Sequence, residues 1–257
     1  MTATTPRRDD SRRTRPSPVR RRLRTYVPPQ HGAWAMLLVP FLAGLVTAGV
    51  DRVHVPLLLA WLAGYLLSYY AFLALKTRRP ARVRPQLRLY AALTVPAALA
   101  VIVLRPEVLW FAPAYAVLLV VNGWYAWHRR DRALTNDVAS VLQACLMVPV
   151  AATVAGVSPI DVLEPFLVVL LYVVGTVLFV KTMIRERGDE NFLRASIGFH
   201  AAATALAGLV SWPWVILFAW FGVRAAWLPH HAMTPKNVGL VEIGSCVALL
   251  GAIALLG

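Results

Sequence analysis

Long apolar segments separated by short polar breaks constrain this chain more than any other feature of its sequence. From Gln30 onward, nine runs contain few charged residues, and most reach the roughly 20 residues that an α-helix needs to cross a bilayer core. Hydrophobic residues make up 59% of the chain, which is more than a soluble domain of this size carries. We predict an all-α, polytopic membrane helix bundle of about nine transmembrane helices, at 30–49, 55–75, 89–104, 108–127, 136–156, 162–181, 195–210, 212–228 and 237–256.

Basic residues give the orientation of these helices. With the N-terminus in the cytoplasm, 24 of the 26 Lys and Arg residues fall on the cytoplasmic side, and the other two are Arg52 and Arg105. We therefore predict a disordered, Arg-rich cytoplasmic tail at 1–25, a transmembrane domain at 26–257 and a C-terminus outside. The third and seventh helices are short and are followed by tight breaks, which predicts helical hairpins.

The net charge of +14 would normally indicate nucleic-acid binding. Here the charge lies in loops between apolar runs, where it serves topology, so we expect no nucleic-acid partner. Cys145 and Cys246 lie within apolar segments and lack the spacing of metal ligands. Because polar groups gather at the cytoplasmic helix ends, a binding site is expected to open on that side.

Two basic loops offer the first candidate site. The second helix ends in Lys76-Thr77 before Arg79, and the sixth ends in Lys181-Thr182 before Arg185. This similarity predicts an internal repeat in which both lysines line one cavity and bind a phosphate or pyrophosphate. The alternative is that both loops are ordinary positive-inside anchors.

Polar groups inside the apolar runs offer further candidates. Asn136, Ser140 and Gln143 form one stripe on the fifth helix beside Asp137, and this stripe either faces a cavity or joins helices by hydrogen bonds. Aromatic residues at helical spacing on the second helix, including Tyr69, either line that cavity or pack against a neighbour. Ionisable groups also reach inward from the cytoplasmic side, where Glu242 either belongs to a site or forms an ion pair with Lys236 or Arg224. These groups are His31, His200, Lys236 and Glu242.

The segment YVPPQHGAWAMLLVPFLAGL at 26–45 resembles the opening of the YwiC-like family of bacterial membrane proteins. The resemblance extends over most of the chain and includes KTRRP, Asn136-Asp137, KTMIRERG and KNVGLVE. It implies a multi-pass protein of the bacterial cell membrane and no particular reaction.

The nine helices, with polar loops after the second and sixth, also resemble the UbiA-type membrane prenyltransferases. That resemblance implies a UbiA-like topology and acidic loops that hold magnesium on an isoprenoid pyrophosphate. The loop after the sixth helix has acids for weak metal candidates, namely Glu186, Asp189 and Glu190. The loop after the second helix has only basic residues, which disfavours magnesium as a cofactor.

The function that these patterns favour is binding, or transfer, of a phosphorylated lipid or isoprenoid at a cytoplasm-facing cavity, with membrane lipids as partners. The alternative is a non-enzymatic transporter or membrane assembly factor with an ion or proton path through Glu242, His200 and His31. The sequence leaves open whether the protein is an enzyme.

Overall fold

The computed structural model of the protein describes residues 26–28 and 31–256. Within these residues the regular elements are ten α-helices and three short 3₁₀-helices, without a β-strand. All of these elements belong to one compact unit that begins at His31, and the predicted tail at 1–25 lies outside the described residues. The helices are α1 His31–Ala48, α2 His54–Thr77, α3 Arg84–Leu104, α4 Ala112–Trp127, α5 Leu134–Cys145, α6 Met147–Val154, α7 Leu163–Ile184, α8 Glu190–Val210, α9 Trp212–Trp227 and α10 Pro235–Leu256.

These ten helices make nine segments, because α5 and α6 together form the predicted fifth one. The axis bends at Leu146, three residues before Pro149, whose missing N–H leaves the carbonyl of Cys145 without its usual intrahelical donor. Between α8 and α9, Ser211 has an extended backbone (φ −164°, ψ 142°) that separates two helices. The break predicted between the seventh and eighth helices is therefore confirmed.

Seven described segments are long and apolar enough to cross a membrane, and Ala33–Ala48 is a shorter apolar helix. This is the predicted polytopic membrane helix bundle. The third and seventh helices are longer than predicted: α3 and α8 each have 21 residues, because Pro85 supports an earlier start of α3 and Asp189 caps α8.

The centre of the bundle is formed by α1, α5, α6 and α7. All residues of α6 are buried, and the buried face of α7 includes Val168, Val169 and Tyr172. Gly44 lets α1 approach α6 closely, since a Cβ there would lie 2.7 Å from the Cβ of Ala151. α10 packs against α1 and α7.

Helical hairpins surround this centre. The predicted hairpin of α8 with α9 is confirmed. The predicted hairpin of α3 with the next helix is wrong, because α3 packs on α2 and is joined to α4 through the 3₁₀-helix Pro106–Phe111. α4 packs on α2 and α5 instead.

Candidate functional site

Both Lys-Thr pairs reach the same stretch of chain, the α4–α5 segment at 128–137. Lys76 Nζ lies 2.7 Å from Asp131 Oδ1, and Lys181 Nζ lies 2.5 Å from Asp137 Oδ2. Lys181 Nζ also donates to the carbonyl of Arg132 at 3.4 Å. The two lysines therefore hold one segment from the ends of two different helices.

The threonines of the two pairs also have the same local structure. Thr77 Oγ1 donates to the carbonyl of Leu73 at 2.7 Å, and Thr182 Oγ1 donates to that of Leu178 at 2.9 Å, four residues back in each case. This i−4 bond satisfies a hydroxyl inside an apolar environment. The two motifs that the sequence paired are thus alike in both their lysine and their threonine contacts.

Burial distinguishes the two ion pairs. The side chains of Lys76 and Asp131 are 38% and 37% exposed, whereas those of Lys181 and Asp137 are 7% and 23% exposed. Partial burial alone would raise the pKa of Asp131. The hydrogen bond from Lys76, a backbone hydrogen bond and the charges of Lys76 and Arg132 together outweigh this effect, so the pKa of Asp131 is lowered. The Lys76–Asp131 pair therefore lies at the surface, whereas the Lys181–Asp137 pair is mostly buried in the bundle.

The C-terminal ends of α2 and α4 contact each other through two arginines. The guanidinium of Arg78 lies 5.0 Å from the ring centroid of Trp127, and Arg129 Nε donates to the carbonyl of Lys76 at 3.4 Å. Both arginines have a left-handed φ, 55° at Arg78 and 57° at Arg129, where glycine is favoured. These arginines end their helices and fix the α4–α5 segment to α2.

Other arginines around this end of the bundle are exposed, and none has a carboxylate within ion-pair distance among the described residues. We call this region the basic face. Its unpaired arginines are Arg79, Arg82, Arg84, Arg88, Arg130, Arg132, Arg185 and Arg187.

The polar stripe of α5 makes hydrogen bonds between helices. Ser140 Oγ donates to Asn122 Oδ1 of α4 at 3.2 Å, and Asn122 Nδ2 donates to Gln143 Oε1 at 2.9 Å. Asn136 Nδ2 donates to the carbonyl of Asp131 at 3.0 Å, while its Oδ1 is buried without a partner in the described structure. Most of the stripe joins α5 to α4, and only Asn136 and Asp137 reach the basic face.

The acids after α7 do not form a metal site. Asp189 caps α8, accepting hydrogen bonds from the backbone N–H groups of Asn191 and Phe192 at 2.9 and 3.0 Å. Glu190 pairs with Arg194 at 3.0 Å on the surface. Since α8 begins at Glu190, that acid and Glu186 do not share a helical face. Among the described residues no group of three His, Cys, Asp or Glu side chains could hold a metal ion, so these residues do not fit the magnesium that the prenyltransferase resemblance implies.

Deeper in the bundle, Glu242 of α10 pairs with Arg224 of α9, one of the two partners that the sequence offered. Arg224 Nη1 lies 2.5 Å from Glu242 Oε1, and both residues are buried. Thr176 Oγ1 donates to Glu242 Oε2 at 2.8 Å. His200 is buried nearby, with Nδ1 2.8 Å from the carbonyl of Ser196.

The remaining candidates lie elsewhere. Lys236 is exposed at the start of α10 and has no ion pair in the described structure. Tyr69 packs against a buried cluster that includes Val83 and Tyr90 beyond its own helix, so this residue contributes to packing between helices. His31 begins α1, but its side chain lies outside the described residues.

The opposite end of the bundle explains one of the two basic residues that departed from the charge pattern. Arg105 Nε donates to the carbonyl of Val154 at 2.8 Å, and its Nη2 lies 3.1 Å from Asp51 Oδ2. His54 Nε2 bonds the carbonyl of Ala151 at 2.9 Å. Both side chains satisfy carbonyls at the C-terminus of α6, as helix ends require.

Three residues that contact the candidate groups were missed by the sequence analysis. Asp131 lies in a run of arginines that resembles a plain anchor, Asn122 is an isolated amide in an apolar run, and Tyr172 is an isolated hydroxyl in another. A partner for Lys76 could have been sought among the acids of neighbouring loops, but the pairing depends on which loops are adjacent.

Known proteins resemble the chain over most of its length. The YwiC-like protein family matches residues 27–152. The chain is 32% identical over 236 residues, 91% of its length, to "Uncharacterized protein YwiC" of Bacillus subtilis (strain 168), covering 98% of that protein. It is 30% identical over 224 residues, 83% of its length, to an "Uncharacterized protein" of Haemophilus influenzae (strain ATCC 51907 / DSM 11121 / KW20 / Rd), covering 90% of it. No solved structure matches the chain significantly. These similarities show that the chain belongs to the YwiC-like family.

Proposed function

We propose that this membrane protein binds a phosphorylated lipid or isoprenoid at its basic face, and that this face lies in the cytoplasm. The observation that carries the proposal is the division of charge at that face. Lys76 and Lys181 are neutralised by aspartates of one segment, while the exposed arginines around that segment have no acidic partner among the described residues. The free positive charge is therefore concentrated on arginine.

Arginine suits a phosphate ligand for geometric reasons. Its planar guanidinium offers paired N–H donors that match two oxygens of a phosphate, and it remains charged at all physiological pH values. Arg79 and Arg185 follow the two Lys-Thr pairs, so they approach the segment from the ends of α2 and α7. A phosphate bound between them would lie at the level of the lipid headgroups, where each basic residue contributes about 1 kcal/mol to the binding of anionic lipid.

The start of α5 adds uncompensated donors to the same place. Ala133 occupies the N-cap position and provides no side-chain cap, so N–H groups of the first turn have no side-chain acceptor there. N–H groups at a helix start favour an anion. Asp137 lies in this turn and pairs with Lys181, so the proposed phosphate would bind close to the pairs that hold the segment.

Turnover is not part of this proposal. The acids that would hold magnesium are used as a cap and a surface ion pair, so no metal-dependent step is assigned to them. Preorganised cations alone can stabilise developing negative charge.

Lipid-resolved native mass spectrometry tests the proposal. Protein reconstituted in phosphatidylcholine nanodiscs doped with a polyprenyl monophosphate, or with phosphatidylglycerol at equal charge, should retain the monophosphate preferentially. Arg79→Gln with Arg185→Gln should abolish that preference, whereas Arg52→Gln at the opposite end should not. Equal retention of both lipids, or equal loss in the Arg52 variant, would mean that the arginines act only as topological anchors.

The second candidate function is an ion or proton path without lipid turnover. It is favoured by one observation, the buried ion pair of Glu242 and Arg224 inside the bundle, since ionisable residues within a membrane mark functional sites. Proton flux into proteoliposomes that depends on Glu242, measured with an enclosed pH dye, would support this function. Flux that is the same in Glu242→Gln would exclude it.

A further inference from the structure

In the cluster of described residues around Glu242, some hydrogen-bond donors have no acceptor. The carboxylate accepts from Arg224 Nη1 at 2.5 Å, from Thr176 Oγ1 at 2.8 Å and from Tyr172 Oη at 3.4 Å. Arg224 Nη1 also donates to Ser245 Oγ at 2.6 Å. Glu242 is thus fully satisfied, and the surplus lies on Arg224.

Arg224 has donors that find no acceptor. Its Nε and Nη2 are buried without a partner in the described structure, and the residue is only 4% exposed. The faces of the guanidinium contact aromatic rings, with its carbon 4.5 Å from the centroid of Phe179 and 5.3 Å from that of Phe221. Such contacts stabilise a desolvated cation, but they leave the in-plane donors of the guanidinium unused.

His200 provides an unused acceptor at the same place. Its Nδ1 contacts the carbonyl of Ser196, which can only accept, so Nδ1 carries the proton of the neutral ring and Nε2 is an acceptor. This Nε2 is buried without a partner, and the residue is 3% exposed. Gly175 makes room for the ring, since a Cβ there would lie 3.0 Å from Nε2.

His200 and Arg224 line one narrow gap between α7, α8 and α9, which has no room for a water molecule. An unused donor and an unused acceptor therefore face the same space, and only movement of the side chains can join them. Unsatisfied buried polar groups cost free energy, which favours an arrangement in which these two groups pair.

We propose that Glu242 is a proton-binding site within the membrane bundle, and that proton uptake transfers Arg224 from Glu242 to His200. One proton from solution binds a carboxylate oxygen of Glu242, and Arg224 remains protonated. The neutral carboxylic acid attracts the guanidinium far less, so an Arg224 N–H donates to His200 Nε2 instead. The charge of the cluster rises by one, and the new O–H bond of Glu242 is the only covalent bond that forms.

The other titratable groups around Glu242 fit this exchange. Tyr172 approaches from α7 and Cys246 lies on α10 itself, with the tyrosine hydroxyl 3.3 Å from the thiol. α1, which packs on α10, has no titratable side chain between Ala33 and Ala48. Glu242 is the only carboxylate in this cluster of described residues, and His200 must stay neutral to accept from Arg224, so the proposal assigns the added proton to Glu242.

α7 connects this cluster to the basic face, because it carries both Thr176 and Lys181. Lys181 lies five residues beyond Thr176, a rise of about 7.5 Å, and its partner Asp137 retains 23% exposure. The proton site does not depend on lipid binding at the basic face, and its failure would leave that proposal unchanged.

A double-mutant cycle tests the transfer. Glu242→Gln mimics the protonated carboxyl, and His200→Phe keeps a ring but removes the acceptor. His200→Phe should lower the Tm of purified protein in detergent more when Glu242 is replaced by Gln than when Glu242 is unchanged. With Glu242 unchanged, the Tm decrease caused by His200→Phe should grow to the larger value as the pH is lowered. Glu190→Gln, a surface control, should leave the effect of His200→Phe unchanged. Equal Tm shifts in all backgrounds and at every pH would overturn the proposal.

Infrared difference spectroscopy keeps the proposal testable if Glu242→Gln fails to fold. A pH step on wild-type protein should produce the C=O stretch of a protonated, buried carboxylic acid, and Glu242→Asp should shift that band while Glu190→Gln leaves it in place. Absence of the band, or a band unchanged in Glu242→Asp, would overturn the assignment of the proton to Glu242.

Discussion

Removal of the charge of Asp137 should destabilise the protein far more than removal of the charge of Asp131. Both aspartates lie on the α4–α5 segment, and each pairs with the lysine of a Lys-Thr motif. Asp137→Asn and Asp131→Asn are therefore matched changes: each converts one carboxylate of the same segment to an amide and leaves one lysine without its counter-ion. They differ in the burial of the lysine that remains.

The expected magnitudes follow from that burial. Loss of one partner of a fully buried pair costs about 3–5 kcal/mol, because an uncompensated charge is left inside. Lys181 is 7% exposed but Asp137 is 23% exposed, so we expect about 2–4 kcal/mol for Asp137→Asn. Lys76 and Asp131 are both more than a third exposed, and for Asp131→Asn we expect about 0–1 kcal/mol.

Unfolding by increasing sodium dodecyl sulphate in mixed micelles, followed by tryptophan fluorescence, measures both differences. Asp137→Leu combined with Lys181→Met should recover much of the lost stability, because it removes the buried charge instead of leaving it unpaired. Equal destabilisation by the two single changes, or no recovery in the double variant, would refute the conclusion that Lys181 is a buried charge held by Asp137.

Three further outcomes are expected. Gly44→Ala should destabilise the bundle by about 1–3 kcal/mol through overpacking of α1 on α6, whereas Gly244→Ala, where a Cβ meets nothing within 4 Å, should not; unfolding in mixed micelles compares them. The pKa of Asp51 lies below its ordinary value of 3.8, first because the N–H of Val53 donates to its carboxylate and also because Arg105 is nearby. The stabilising effect of the Asp51 charge is therefore present above about pH 4 and is lost as the pH falls through the lowered pKa. Asp51→Asn should remove this pH dependence in thermal unfolding scans. A cysteine at Ser158 should react with an impermeant maleimide on intact cells, and one at Arg82 only after permeabilisation; the reverse pattern would refute a cytoplasmic basic face.

The fold was largely predictable because membrane spans depend on segment length and apolar composition, which are local properties. The break at Ser211 was found in the same way, from a polar residue before Trp-Pro. The pairing of α3 with α2 was not predictable, because a tight connection fixes only that two helices are consecutive. Which helix faces which depends on packing, such as the close approach that Gly44 permits between α1 and α6.

The candidate site was predictable in its residue types but not in the partners of its lysines. The Lys-Thr pairs stood out as a repeated pattern, and Glu242 stood out because charge inside an apolar run is costly. Arg224 was one of the two partners expected for Glu242. The partners of the two lysines, Asp131 and Asp137, are distant from them in sequence, and only the arrangement of α2, α5 and α7 brings them together. The helical spacing of the polar stripe on α5 correctly predicted that Ser140 and Gln143 share one face, since both contact Asn122. Asn122 itself belongs to no periodic pattern in the sequence.

The basic face follows from one physical rule applied at two depths. A lysine at the buried end of a helix needs a counter-ion, because burying an unpaired charge costs far more free energy than leaving it in water. Lys181 has this counter-ion in Asp137. An arginine one turn further out is hydrated and needs no acid, so Arg185 keeps its charge available. Each Lys-Thr motif therefore contains a lysine that is paired with an aspartate and, within four residues of it, an arginine without an acidic partner among the described residues, which is the charge that we propose binds an anion.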